Sequence, residues 1–348
     1  MKNAFWLVAV AAVTAWGFGA PAAGKAIQAA GITMPLIAVI MLISGLSLPA
    51  EEIARTLRRP LPILAALFVT YVAFPVAGLF LSYALFAGEL SGPDAAKYLQ
   101  GFMILCAQTS TVATGIVLTT IAGGDRALSI LVTIANYAAS VLGTPLALAL
   151  TLGGSFGADS ENIAKTLGPS AIAQTLLVYV ITPLMIGQVV RLLVPRLVRG
   201  RERFASPACQ ILILAFVLMA TSSGSDCLRT QALGVLGRLV AYAVALHFAM
   251  LALAAGLAWL ASRDRGVTLG GALCAGSKTL TSGMAIWQRH FHENPFGILP
   301  LAVYHVLQIL IDTLLIPLFA RPPDGKPDHP APPAGRGLYS PLPGRQAA

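Results

Sequence analysis

Apolar residues run through this chain in long blocks, and the polar positions gather in short clusters between them. The blocks cover about residues 4–20, 32–50, 60–86, 96–122, 127–153, 169–194, 206–223, 231–261, 266–288 and 296–320. A helix needs about 20 apolar residues to cross the hydrocarbon of a bilayer. Open strand edges cannot face lipid, and membrane barrels do not read as long apolar runs. The pattern therefore predicts an all-α polytopic membrane protein with ten transmembrane helices.

Two blocks break the pattern from within. Cys106-Ala107-Gln108-Thr109-Ser110-Thr111-Val112-Ala113-Thr114-Gly115 lies in the fourth, and Cys274-Ala275-Gly276-Ser277-Lys278-Thr279-Leu280-Thr281-Ser282-Gly283 in the ninth. The two align without a gap. Both are crowded with hydroxyls and small residues, which a uniform spanning helix does not need. Interrupted spans at matching places in two halves point to a transporter's binding site, whereas small-residue packing faces are the plainer alternative. Spans one to five and six to ten would form two inverted five-helix repeats, with discontinuous helices four and nine crossing at the centre. The implied divisions are 1–165, 166–320 and a Pro/Gly-rich, disordered cytoplasmic tail at 321–348.

Composition supports the membrane class. Hydrophobic residues make up 57% of the chain and charged residues only 11%, where soluble domains carry about 25% charged. The net charge of +9 does not point to nucleic acid, because the arginines lie between spans. Arg55, Arg58, Arg59, Arg126, Arg191, Arg196, Arg199, Arg201, Arg203, Arg263 and Arg265 alternate with weakly charged or acidic links bearing Glu89, Asp94, Asp159, Glu161 and Asp226. The positive-inside rule then places both termini and the arginine-rich links in the cytoplasm. The first block is read as a retained span rather than a signal peptide, since further spans follow at once. Cys106, Cys209, Cys227 and Cys274 have no metal or disulfide spacing, and no cofactor motif is present.

The candidate site residues are polar groups inside the blocks. Gln108, Thr109, Ser110, Thr111 and Thr114 offer oxygens in the first break; Ser277, Thr279 and Ser282 do so in the second. Ser129, Thr133 and Asn136 share a helix face in the fifth block. Asp125 is placed to cap that helix. Lys278 is the outlier, because an intramembrane lysine is costly and points to function. It could bind an anion, stand as a built-in cation, or release a proton. His247 lies in the eighth block; His305, Gln308 and Asp312 form a stripe in the tenth. Asp312 is read as either a proton relay or the charge partner of Lys278.

With these residues in view, the chain resembles the bile acid:sodium symporter family across about residues 5–320, and most of all its bacterial bile acid symporter-like branch. The resemblance rests on Gly276-Ser277-Lys278, Ser282-Gly283, Tyr304-His305, Gln308, the Pro75 segment and Gly123-Gly124-Asp125-Arg126 running into Ala127-Leu128-Ser129. It implies ten helices, a panel domain facing a core domain, and substrate bound near the crossing of the two breaks. It also implies a sodium ion near Thr114, Ser129 and Thr133. An acid and a glutamine that the sodium-coupled members use are absent here, at about Gly276 and Thr70. The expected function is alternating-access transport of a small organic, anionic solute, coupled to sodium or protons, without a cofactor. The alternatives are an intramembrane enzyme using His247, His305 and Asp312, or a non-transporting membrane sensor.

Overall fold

A computed structural model describes residues 2–48, 60–111, 113–153, 168–198, 202–230 and 233–319. The expectations for Arg55, Arg58, Arg59, Arg199 and Arg201, for Asp159, Glu161 and Lys165, for the 165/166 boundary and for the tail at 321–348 lie outside these residues. Every labelled element is helical: α1 Lys2–Gly19, α2 Ala22–Ala29, α3 Thr33–Ser47, α4 Pro60–Leu90, α5 Ala95–Cys106, α6 Ala113–Ile121, α7 Arg126–Gly153, α8 Pro169–Leu193, α9 Glu202–Thr230, α10 Leu233–Ser262, α11 Arg265–Ala275, α12 Leu280–Ile286 and α13 Leu299–Phe319. A one-turn helix, Pro195–Val198, precedes α9.

The expectation of ten spanning helices in two inverted five-helix repeats is corrected by this structure. Among the described residues, six helices are long and apolar enough to cross a membrane, or seven if the bent pair α2 and α3 is one span. Hydropathy counts apolar residues, but crossing requires an uninterrupted hydrogen-bonded length. The fourth block is cut into 12 and 9 helical residues, and the ninth into 11 and a piece of 7 that runs on into the π-helical turn Trp287–Phe291. At the start of the chain, Val8–Gly19 is a shorter apolar helix, and α2 and α3 meet at 87°. The five-plus-five arithmetic, and the ten-span parity used for the termini, go with the count.

The helices pack in two groups. α1 and α2 lie on α9, and α3 packs most extensively on α8. α4 packs on α5, α7 and α10; α11 lies against α10, α7 and α6; α13 lies against α10 and α5. Their buried surfaces share one large apolar core. Glycines set the closest approaches in the first group. A Cβ on Gly45 would stand 2.1 Å from Leu184 O, and one on Gly187 2.4 Å from Leu42 O. Small residues that let backbones meet are the usual means of helix association in lipid. Gln188 Nε2 reinforces this contact by donating to Gly45 O and Leu48 O, and Arg191 donates to Leu46 O.

α4 and α8 each contain a π-helical turn, Val69–Ala73 and Leu177–Ile181, followed closely by Pro75 and Pro183. A proline inside a helix cannot donate and crowds the carbonyl four residues back. The wider turn relieves that crowding.

Gly45→Val should lower the melting temperature of the detergent-solubilised protein, because overpacking a tight contact costs about 1–3 kcal/mol. Gly19→Ala is the control, since a Cβ there meets nothing within 4 Å. Equal melting of the two variants would contradict the close backbone contact.

Candidate functional site

The two polar clusters are the two places where buried helix gives way to irregular backbone. α5 ends at Cys106 and α6 begins at Ala113; α11 ends at Ala275 and α12 begins at Leu280. The breaks touch each other, with Thr279 N donating to Thr109 O at 3.0 Å. Water is scarce inside a membrane protein, so each freed backbone group needs a protein partner. In the first break, Ala107 O accepts from the Thr144 hydroxyl at 2.8 Å and Gln108 O from Lys278 Nζ at 2.6 Å. The Thr111 hydroxyl accepts from Gly115 N at 3.0 Å and so starts α6.

α13 serves the second break. Gln308 Oε1 accepts from Lys278 N at 2.8 Å, and its Nε2 donates to Lys278 O at 2.7 Å. Tyr304 OH donates to Gly276 O at 3.1 Å. The Ser277 hydroxyl donates to Leu273 O at 2.7 Å and lies 3.4 Å from Asp312 Oδ2.

Lys278 is wholly buried. Its ammonium donates to Gln108 O and to Thr70 O, the latter at 2.9 Å, and stands 4.0 Å from the centre of the Phe74 ring. The Thr70 carbonyl is free because of the π-turn. Phe74 N donates to Val69 O, and the next amide in that register belongs to Pro75, which has none. Two carbonyls and an aromatic face therefore use all three ammonium hydrogens.

The remaining sequence candidates fall into three sets. Gln108 bridges the breaks, donating to Ile104 O at 2.6 Å and accepting from the Ser282 hydroxyl at 2.9 Å. Thr111 and Thr114 hydroxyls are 2.7 Å apart, and those of Thr279 and Thr281 2.8 Å. Ser129 and Thr133 donate to Asp125 O and Ser129 O on their own helix, while Asn136 donates to Val132 O. Asp125 caps α7 through Leu128 N at 3.0 Å. Thr114 is not joined to Ser129 or Thr133 by any of these bonds. Its hydroxyl belongs with Thr111, on the cavity. Asp312 lies on His247, 2.9 Å from Nε2, and not on Lys278.

A narrow cavity of about 30 Å³ separates the two helix groups, with room for a water or two. Ile40, Met41 and Ser44 of α3 and Cys209, Ile213 and Phe216 of α9 form one wall. Thr111, Thr114, Tyr137, Thr279, Leu280, Thr281 and His305 form the other. Of the lining residues, Tyr137 OH and His305 Nε2 have no hydrogen-bond partner, and Thr109 Oγ1, Ser110 Oγ, Asn136 Oδ1 and Thr70 Oγ1 are likewise unpartnered near the breaks. The His305 tautomer follows from its neighbours. Lys278 N fixes Oε1 of Gln308, so Gln308 Nε2 has one hydrogen for Lys278 O and one for His305 Nδ1, at 2.9 Å. Nδ1 also lies 3.3 Å from Lys278 O, but the contact with Gln308 Nε2 is the shorter one, so Nδ1 accepts and the ring hydrogen of a neutral His305 sits on Nε2.

Sequence reasoning missed the apolar wall, which carries no polar signal, and Phe74, whose ring is visible as a cation partner only in three dimensions.

Residues 3–321 match the SBF-like CPA transporter family. The chain is 25% identical over 320 residues to the probable sodium/metabolite cotransporter BASS4, chloroplastic, of Arabidopsis thaliana, covering 88% of this chain and 70% of that protein. It is 28% identical over 299 residues to sodium/bile acid cotransporter 7-A of Xenopus laevis, covering 82% and 81%. It is 26% identical over 260 residues to the uncharacterized protein PA2026 of Pseudomonas aeruginosa, covering 72% and 73%.

Gln308→Leu removes the partner of Lys278 N and the shorter of the two contacts of Lys278 O, and a buried orphan costs about 1–3 kcal/mol. A clear fall in melting temperature is expected. Wild-type melting would show that the second break does not depend on α13.

Proposed function

The chain belongs to the SBF-like CPA transporter family, and from that premise we propose that it moves a small organic solute bearing an acidic group by secondary active transport. Its relationship to cotransporters and its bundle of membrane-length helices make it an integral membrane transporter in general terms. The narrower reading rests on one observation. Tyr137 and His305 line the cavity between the helix groups, and neither Tyr137 OH nor His305 Nε2 makes a hydrogen bond of good geometry, the Thr279 and Thr281 hydroxyls lying beside the phenol. Buried donors without partners are costly, and a ligand that accepts from them recovers that cost.

A carboxylate or sulfonate fits this pair. It would accept from His305 and Tyr137, with the hydroxyls of Thr279 and Thr281 beside it and the apolar wall of Met41 and Phe216 around its carbon skeleton. Lys278 acts as a built-in cation rather than as the anchor, since its hydrogens are already engaged. The cavity as described is too small for an organic molecule. Solute entry therefore requires α3 and α9 to draw away from the breaks, opening the crevice to one side of the membrane and then to the other.

Sodium is a less suitable driving ion here than for the named cotransporters. Thr114, expected at the ion site with Ser129 and Thr133, bonds instead to Thr111, and Oδ1 of the Asp125 carboxylate is engaged by the Leu128 amide. We place the protein in a bacterial cytoplasmic membrane, with its arginine-rich links on the cytoplasmic side.

Uptake of a radiolabelled panel of mono- and dicarboxylates and sulfonates into proteoliposomes, under separately imposed sodium and proton gradients, tests this reading. Gradient-dependent flux of an acid is expected. His305→Ala and Tyr137→Phe should each raise KM about tenfold, equivalent to one lost hydrogen bond of about 1.4 kcal/mol, with a smaller change in kcat. No flux across the panel, or wild-type KM in both variants, would sink it.

A further inference from the structure

His247 and Asp312 meet away from the cavity, where α10 and α13 pack together, and both are almost fully buried. His247 Nε2 lies 2.9 Å from Asp312 Oδ1, and Nδ1 lies 3.1 Å from Tyr304 OH. The Tyr304 hydroxyl has one hydrogen, and its other neighbour, Gly276 O at 3.1 Å, can only accept. One assignment satisfies every contact. Tyr304 donates to Gly276 O, Nδ1–H of His247 donates to Tyr304, and a further proton lies between Nε2 and the Asp312 carboxylate. The pair then holds one proton more than a neutral imidazole and a free carboxylate, and its net charge is zero. Without that proton it would be a buried net negative charge, which is strongly disfavoured.

Among the described residues, no other charged side chain is bonded to the pair: Arg238 of α10 holds Glu89 of α4, Arg265 of α11 donates to Phe319 O, and Arg229 of α9 donates to Phe18 O and Gly19 O. The Lys278 ammonium is turned to Thr70 O and Gln108 O. α11 contributes Cys274, whose thiol points at Ser129 O. α5 contributes Cys106, held by Tyr242 of α10. α13 itself adds Tyr304 and His305, the latter held by Gln308. α4 brings Phe74, and α6 brings threonines. The charged ends of α9 and α5 are exposed ion-paired residues, Asp226 with Lys25 and Lys97 with Asp94.

The pair is also tied to the second break. Tyr304 holds Gly276, and Asp312 approaches Ser277, so the backbone at residues 276–278 cannot shift without disturbing the groups that hold the proton. We propose that His247 and Asp312 form the proton-binding site of the transport cycle, holding one proton while the crevice is closed and releasing it to water when the break moves. The step is a simple protonation: an N–H or O–H bond forms with an aqueous proton and breaks when that proton leaves. The inference rests on the transport reading for its role in a cycle, but the proton itself needs no solute to be detected.

Two measurements on the full-length protein in lipid nanodiscs test it, without added solute. The first combines histidine ¹⁵N NMR with infrared spectroscopy of wild type at neutral pH, with His247→Gln and Asp312→Asn as assignment controls. The expected result is either His247 protonated at both nitrogens or a protonated Asp312 carboxyl. The second follows alkylation of Cys209, on the cavity wall, by a small maleimide, with Cys209→Ala as the blank. Because the closed form binds the extra proton, raising pH should open the crevice in wild type. Asp312→Asn, which mimics the protonated acid, should stay closed. The wild-type to Asp312→Asn rate ratio cancels thiol chemistry and should rise several-fold from about pH 5.5 to about pH 8.5. A flat ratio, or an unprotonated Nε2 beside an ionised Asp312, overturns the proposal, and the wild-type spectra decide it even if the variants fold poorly. Solute flux that persists after such a result would keep transport and remove only the proton. A confirmed proton site without flux would remove the transport reading instead.

Discussion

A chain that leaves the helix inside a membrane must find a partner for each N–H and C=O it releases. That obligation shapes this molecule more than any single side chain. The carbonyls of the first break are taken by Thr144, Lys278 and the backbone of Thr279. The second break is held on α13 by Tyr304 and Gln308. The breaks are thus built as one object, each supplying part of the other's hydrogen bonding. What remains unsatisfied is concentrated near them, at Thr109, Ser110, Asn136, Tyr137, Thr70 and His305.

Charge is managed under the same rule. Lys278 is the only described lysine or arginine side chain that is wholly buried, and its ammonium rests on carbonyls and a ring rather than on a carboxylate. Asp312, the described acid buried most deeply, is given to His247. The two opposite charges lie within one site yet are kept on separate partners.

Much of the site was legible in the sequence and less of the fold. The interruptions at 107–112 and 276–279 could be read because hydroxyls, glycine and a lysine have no place in a plain apolar span. The stripe of His305, Gln308 and Asp312 followed from helical spacing. The number of crossing helices was not legible, because hydropathy does not register where a hydrogen-bonded ladder stops. The union of His247 with Asp312 spans 65 residues of sequence and depends on how two long helices are rotated. The free carbonyl of Thr70 depends on a π-turn that nothing but Pro75 announces, and a proline marks a disturbance without saying which carbonyl it releases.

The glycine contact between α3 and α8 has a mechanical consequence. With Gly45 and Gly187 backbone to backbone and Gln188 and Arg191 bonded across them, the two helices have no side-chain cushion to absorb a displacement. They behave as a single stiff lever. Slippage must occur elsewhere, and the face with bulky, non-directional contacts is the one where Met41, Ile213 and Phe216 meet the polar breaks. The crevice opening proposed above would therefore fall at that face, with α3 and α8 moving together.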